Sequence, residues 1–284
     1  MYDTNPEAHH EAHSQRSTRS SGQASHSYDE NYVAVSSTLI KTNNMHAVIT
    51  GAKGGIGRAC AALFHSHNYA VTSWDLPEVD ITDTNSLDHA LATAISTHGP
   101  IHTLIHCAGI LQPDTPLSEP EIFRRHLDTN VLGVANTASR IATHMLQQPE
   151  TFRRQASLVI ISSNAATTPR LAMASYAASK AAATSYAKSL ALQLAPHHIR
   201  CNIVSPGSTD TGMLRSMWQD GTSADQNISE ILAGNPEQFR LGVPLQKIAS
   251  DDEIAQACYF LASPAASHIT MHDLRIDGGA TLDS

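Results

Sequence analysis

From His46 onward the chain alternates short, unbroken apolar runs with longer stretches whose apolar residues recur every three or four positions. Ala47-Val48-Ile49-Thr50 reads as a short buried strand ending at a glycine turn, and residues 56–67 follow with helical spacing. Residues 69–74 read as a strand, 86–98 as a helix and 101–107 as a strand; 119–147 carry helical periodicity. Leu158-Val159-Ile160-Ile161 lies at the centre of a strand over 156–163, and a continuous apolar run of this length suits a strand covered on both faces. A long helix spans the residues around and after Tyr176, then come a strand at 200–204, a helix at 251–262 and a last strand at 273–276. Strands alternating with helices predict an α/β domain with a doubly wound parallel sheet. Ligands of such sheets bind at the carboxyl ends of the strands.

The pattern stops ahead of Met45. Residues 1–44 are rich in Ser, His, Asn, Thr and Glu with few large apolar side chains, so they are expected to form a disordered polar extension before one domain at 45–284. His9, His10, His13 and His26 lie irregularly in this tract, which fits a solvated tail better than a metal site, and Met45 is an alternative start. The 284 residues are 41% apolar, enough for one sizeable core. A net charge of −8 argues against a nucleic-acid partner. No apolar run approaches the ~20 residues of a membrane span, and the N-terminus has no signal-peptide core. Cys60, Cys107, Cys201 and Cys258 are scattered without CxxC or metal-ligand spacing, so no metal is expected. They read as thiols of a reducing compartment, the cytoplasm.

Candidate chemistry sits where strands end. Thr50-Gly51-Ala52-Lys53-Gly54-Gly55-Ile56-Gly57 closes the first strand and opens the first helix. Gly51 permits the tight turn, Gly55 lets a phosphate approach the backbone and Gly57 lets helix pack on strand; the helix N-terminus then offers N–H groups to a pyrophosphate, as in a Rossmann-like dinucleotide site. Asp75 ends the second strand 24 residues after Gly51, where a carboxylate accepts hydrogen bonds from ribose hydroxyls and repels a 2′-phosphate. No Arg or Lys follows within ten residues, so NAD is expected over NADP. Asp80 and Ile81 are candidates to flank the adenine. Tyr176 and Lys180 lie four apart, on one helix face, where an ammonium favours phenolate and draws the tyrosine pKa down toward that of a general base. Alone, Tyr-x-x-x-Lys is a short pattern that a solvated helix face also produces.

Together with His106-Cys107-Ala108-Gly109, Asn130, Ser163 and Pro206-Gly207 followed by Thr211, these pieces resemble the short-chain dehydrogenase/reductase family over residues 45–284. The resemblance implies Tyr176 as general base, Lys180 as its charge partner and nicotinamide-ribose ligand, and Ser163, rather than its neighbour Ser162, as the group that orients the substrate oxygen. It implies that Asn130 kinks a helix and helps hold a proton-relay water. It implies cofactor contacts from Gly51, Gly55, Ile56, Gly57, Asp75, Asp80, Ile81, Ala108, Gly109, Pro206, Gly207 and Thr211. The chain departs from the family at His106, where Asn is usual; His106 is expected to replace one of the lost hydrogen bonds.

Residues 108–111, 168–173, 205–211, 239–248, 266–270 and 277–279 further resemble one subgroup, which oxidises a cyclic dihydrodiol carboxylate in catecholate siderophore synthesis. That implies a small carboxylated ring as substrate, with Arg170 on the carboxylate, Met173 and Leu111 against the ring and residues 208–240 as a lid. It also implies a homotetramer built on the helices near 121–147 and 173–195. Other readings are a dehydrogenase of another cyclic alcohol or ketone, such as a dihydro-hydroxyanthranilate, and a non-catalytic nucleotide-binding regulator. The intact Ser163, Tyr176 and Lys180 argue against the regulator.

Overall fold

A computed structural model describes residues 45–218 and 221–282. The expectation for residues 1–44, including the four histidines there, lies outside the described residues. The strands are β1 (His46–Thr50), β2 (Ala70–Trp74), β3 (Thr103–His106), β4 (Ser157–Ile161), β5 (Arg200–Pro206), β6 (Gly234–Asn235), β7 (Arg240–Leu241) and β8 (Asp273–Ile276). Six of them form one sheet in the order β2-β1-β3-β4-β5-β8, every pair parallel; β6 and β7 form a separate antiparallel hairpin. The strand order reverses between β1 and β3, which opens the crevice at which such sheets bind ligands.

The helices are α1 (Gly55–Ser66), α2 (Thr84–His98), α3 (Pro120–Leu127), α4 (Gly133–Leu146), α5 (Glu150–Arg153), α6 (Ala174–Leu194), α7 (Gly212–Arg215), α8 (Ala224–Ala233) and α9 (Asp251–Ala262). Successive strand residues point to opposite faces, so each strand feeds two cores. Val48, Leu104, Leu158, Ile160 and Ile203 pack with residues of α2, α4 and α6. Ile49, Ile105, Val159 and Val204 pack with Cys60 and Phe64 of α1 and with Ile254, Cys258 and Leu261 of α9. Burial on both faces explains why these strands read as continuous apolar runs.

The periodicity expected over 119–147 is divided in the structure. Between α3 and α4 lies one π-helical turn, Asp128–Leu132, with Asn130 fully buried inside it. Residues 208–240 contain α7, α8 and the start of the β6–β7 hairpin. No helix among the described residues is long and apolar enough to cross a membrane, and no group of three or more His, Cys, Asp or Glu among them has the arrangement of a metal site.

Candidate active site

Two adjoining cavities lie over the carboxyl ends of β1, β3, β4 and β5. The first is a groove along the β1–α1 loop. Gly51 has φ +64°, and a Cβ there would stand 2.7 Å from the Ala108 nitrogen; a Cβ on Gly57 would stand 2.1 Å from the Gly51 oxygen. Both positions therefore require glycine. Gly54 precedes α1 without any side-chain cap, which leaves the first N–H groups of the helix facing the groove. Across it, Thr50 Oγ1 accepts from the Ala108 amide at 3.1 Å, tying the ends of β1 and β3 together.

Asp75 stands at the end of β2 and lines the groove with Asp80 and Ile81. Its carboxylate accepts from the backbone amides of Lys53 at 2.7 Å and Leu76 at 2.8 Å. Lys53, the cation nearest in the loop, gives its ammonium to Glu78 and the Leu76 carbonyl, both at 2.6 Å. Asp80 accepts from Thr82. The Ile81 side chain turns inward: it is 7% exposed, and a Cβ on Gly133 would meet its Cδ1 at 2.6 Å.

The second cavity is lined by Tyr176, Lys180 and Ser163, with Leu111, Arg170, Met173, Pro206, Gly207 and Thr211, so it brings together every residue expected around the substrate. Ile56, Cys107, Gly109, Thr211 and Met213 border both cavities. Ser162 and Ser163 both line the cavity, but the Ser162 hydroxyl is taken up by Thr184 and the Lys180 carbonyl, whereas Ser163 bonds the Tyr176 phenol. Lys180, 4% exposed, donates to the Ile161 carbonyl at 2.9 Å, and its ammonium is 5.9 Å from the Tyr176 ring centroid. Asn130 accepts from the Ile110 amide at 2.8 Å and donates to the Ile110 carbonyl at 2.9 Å and to Ser179 at 3.0 Å. A Cβ on Gly109 would approach Asn130 Oδ1 at 3.1 Å and Lys180 Nζ at 3.3 Å, so the absence of a side chain there keeps a polar gap open between them.

Two expectations are corrected. Without ligands the Tyr176 phenol is not drawn down by Lys180: burial pushes its pKa up, the Ser163 hydrogen bond pulls the other way, and burial lowers Lys180 itself to about 8. His106 does not replace an asparagine hydrogen bond either. It is fully buried with neither ring nitrogen in hydrogen-bond geometry. Burial, then the Lys180 charge, push its pKa down to about 3 against a weaker pull from the Ala108 backbone, so the ring is neutral.

Three contributors escaped the sequence reading. Asp114 accepts from the Ser175 amide at 3.1 Å and from its hydroxyl, supplying from another loop the cap that Met173 does not provide to α6, two residues before Tyr176. Met213 and Arg240 line the cavity from the segment after β5. The signals for Arg240 were its place inside the resembling stretch 239–248 and at the end of the expected lid, 208–240.

A family model described as enoyl-(acyl carrier protein) reductase matches residues 51–281. The chain belongs to the short-chain dehydrogenase/reductase family. It is 40% identical to 2,3-dihydro-2,3-dihydroxybenzoate dehydrogenase of Bacillus subtilis, over 83% of this chain and 95% of that protein. It is 38% identical to the enzyme of the same name from Escherichia coli, over 82% and 96%. Among solved structures it resembles a 3-ketoacyl-(acyl-carrier-protein) reductase of Brucella melitensis complexed with NADH, with TM-score 0.73, 26% identity and coverage of 84% and 99%. As a member of this family the protein is an oxidoreductase that uses a nicotinamide cofactor, and the groove fits one: glycine at the two positions where a Cβ has no room, an uncapped helix start and a carboxylate at the end of β2.

Proposed function

We propose that this protein oxidises 2,3-dihydro-2,3-dihydroxybenzoate to 2,3-dihydroxybenzoate with NAD, as a step of siderophore synthesis. The observation that carries the reading is a cationic pocket beside the cofactor groove: Arg170 lines the cavity that holds Tyr176 and Ser163, and among the described residues no Asp or Glu lines it. Its similarity to two dehydrogenases of that name supports the same substrate. NAD, when bound, supplies the hydride acceptor. Ser163 holds the reacting hydroxyl toward Tyr176, and the phenolate takes its proton as the carbinol hydrogen leaves as hydride. The ketone so formed tautomerises to the catechol, and aromatisation drives the reaction forward. Ser163 is the group whose hydrogen bond favours the phenolate, Lys180 keeps its ammonium 5.9 Å from the ring centroid, and Asn130 holds the Ile110 backbone beside the polar gap through which a water returns the proton to solvent. Met173 and Leu111 flank the ring.

Asp75 supports the NAD reading: a carboxylate at the end of β2 suits ribose hydroxyls and repels a 2′-phosphate, and Lys53, the cation in the neighbouring loop, is paired with Glu78. Exposed Phe123, Leu132 and Leu192, on and between α3, α4 and α6, support a homotetramer built on those helices, which size-exclusion chromatography with light scattering tests; the four free thiols support the cytoplasm as its compartment. The deciding experiment is NADH formation with 2,3-dihydro-2,3-dihydroxybenzoate. Silence with that compound alongside turnover of another ring alcohol sinks the substrate assignment.

A further inference from the structure

Among the described residues, the cavity holding Tyr176 is lined by three cations and no carboxylate: Lys180, Arg170 and Arg240. Lys180 is committed to the Ile161 carbonyl and the cofactor side. The two arginines come from separate parts of the chain, Arg170 from the loop between β4 and α6 and Arg240 from β7 of the hairpin. Among the described residues neither forms an ion pair. Arg240 donates to the Ser208 hydroxyl at 3.0 Å. Asp277 is the acid whose charge reaches Arg170. Its carboxylate is occupied by Asn164 at 3.2 Å, Thr281 at 2.7 Å and the Gly279 amide at 3.0 Å. Burial lowers the pKa of both guanidinium groups, which stay charged, and Arg170 adds repulsion at Arg240. Two half-buried like charges facing one cavity are unfavourable until an anion lies between them.

We infer that Arg240 is the specificity-determining cation of this site: with Arg170 it grips the substrate carboxylate from the opposite side, and the anion draws the β6–β7 hairpin onto the pocket. This deepens the proposed function and rests on its assignment of a carboxylated ring. Each guanidinium offers paired N–H donors to a planar carboxylate. An uncharged diol leaves the repulsion between Arg170 and Arg240 in place. The pocket therefore selects for charge first, with apolar Met213, Leu214 and Met217 shaping the remainder.

The test is calorimetric titration of the NADH-loaded enzyme with 2,3-dihydroxybenzoate and with catechol, the same ring without the carboxylate. Wild-type enzyme is expected to bind the acid at least tenfold more tightly. Arg240→Gln should lose about tenfold to a hundredfold for the acid and nothing for catechol, and Arg240→Lys should recover part of the loss. The inference is overturned if wild-type enzyme does not prefer the acid, if Arg240→Gln binds it as wild type does, or if both ligands weaken together, which marks a structural role. Turnover of the dihydrodiol is read separately. A wild-type enzyme that discriminates by charge yet does not oxidise that compound loses the substrate assignment and keeps the arginine pair.

Discussion

The cofactor groove and the substrate pocket share a border at Ile56, Cys107, Gly109 and Thr211, yet they are made of different material. The groove is main chain: glycines with no room for a Cβ, the open start of α1, amides that fix Asp75. The pocket is side chains delivered by separate segments, at 161–180 from one side and 206–240 from the other. Backbone sites tolerate few changes and fail as structure. Side-chain sites tolerate many changes and fail as chemistry or selectivity.

Substitutions on each side should break the two regions independently. Tyr176→Phe removes the base and nothing that faces the groove, so turnover should fall by about 10²–10⁴-fold while NADH binding, followed by fluorescence, stays near wild type. Equal loss of both would show that the two cavities are not separable. On the groove side, Gly57→Ala places a methyl group against the Gly51 carbonyl. It should cost about 1–3 kcal/mol of stability in denaturant melts and weaken cofactor binding along with it. Asp75→Ser should leave folding intact and shift the ratio of kcat/KM for NADP over NAD upward by about tenfold or more, since one charge is removed from the ribose site. An unchanged ratio would mean that Lys53 and Glu78 set the preference instead.

The last effect concerns neither catalysis nor binding. His106 accepts a proton below about pH 6.5 in the unfolded chain but only near pH 3 when folded, so stability falls as pH is lowered through that window, by about 3 kcal/mol at pH 4. His102, lowered to about 4 by burial, adds in the same direction. His106→Asn should remove most of its share, seen as a smaller difference between denaturant midpoints at pH 7 and pH 4. It should also relieve the two unpartnered ring nitrogens.

The difference in material also explains what could be read in advance. The alternation of strands and helices, the glycine turn and Asp75 follow from short-range spacing, because each depends on residues within one β–α unit. Tyr176 and Lys180 were legible as a pair, but the direction of the tyrosine shift was not. It depends on how deeply β4, α6 and the loop after β3 bury the phenol, and a four-residue motif carries no record of burial. Asp114 and Arg240 were missed for a related reason: each meets its site across a long separation in sequence, 61 residues from Asp114 to Ser175. Ile81, expected to flank the adenine, lines the groove with its side chain packed against Gly133.

The single π-helical turn at Asp128–Leu132 has a further consequence for how the molecule tolerates change. Each residue advances a helix by about 100°, so one extra residue works as a phase adjuster between α3 and α4. The wider turn absorbs that residue, so Val134, Ala138, Ile141 and Met145 stay in phase with the core while Asn130 is carried to Ile110. Deleting one of the five would restore a regular helix, keep the phase of α4 and withdraw Asn130 from Ile110. In this segment a one-residue deletion therefore spares the core and disarms the site.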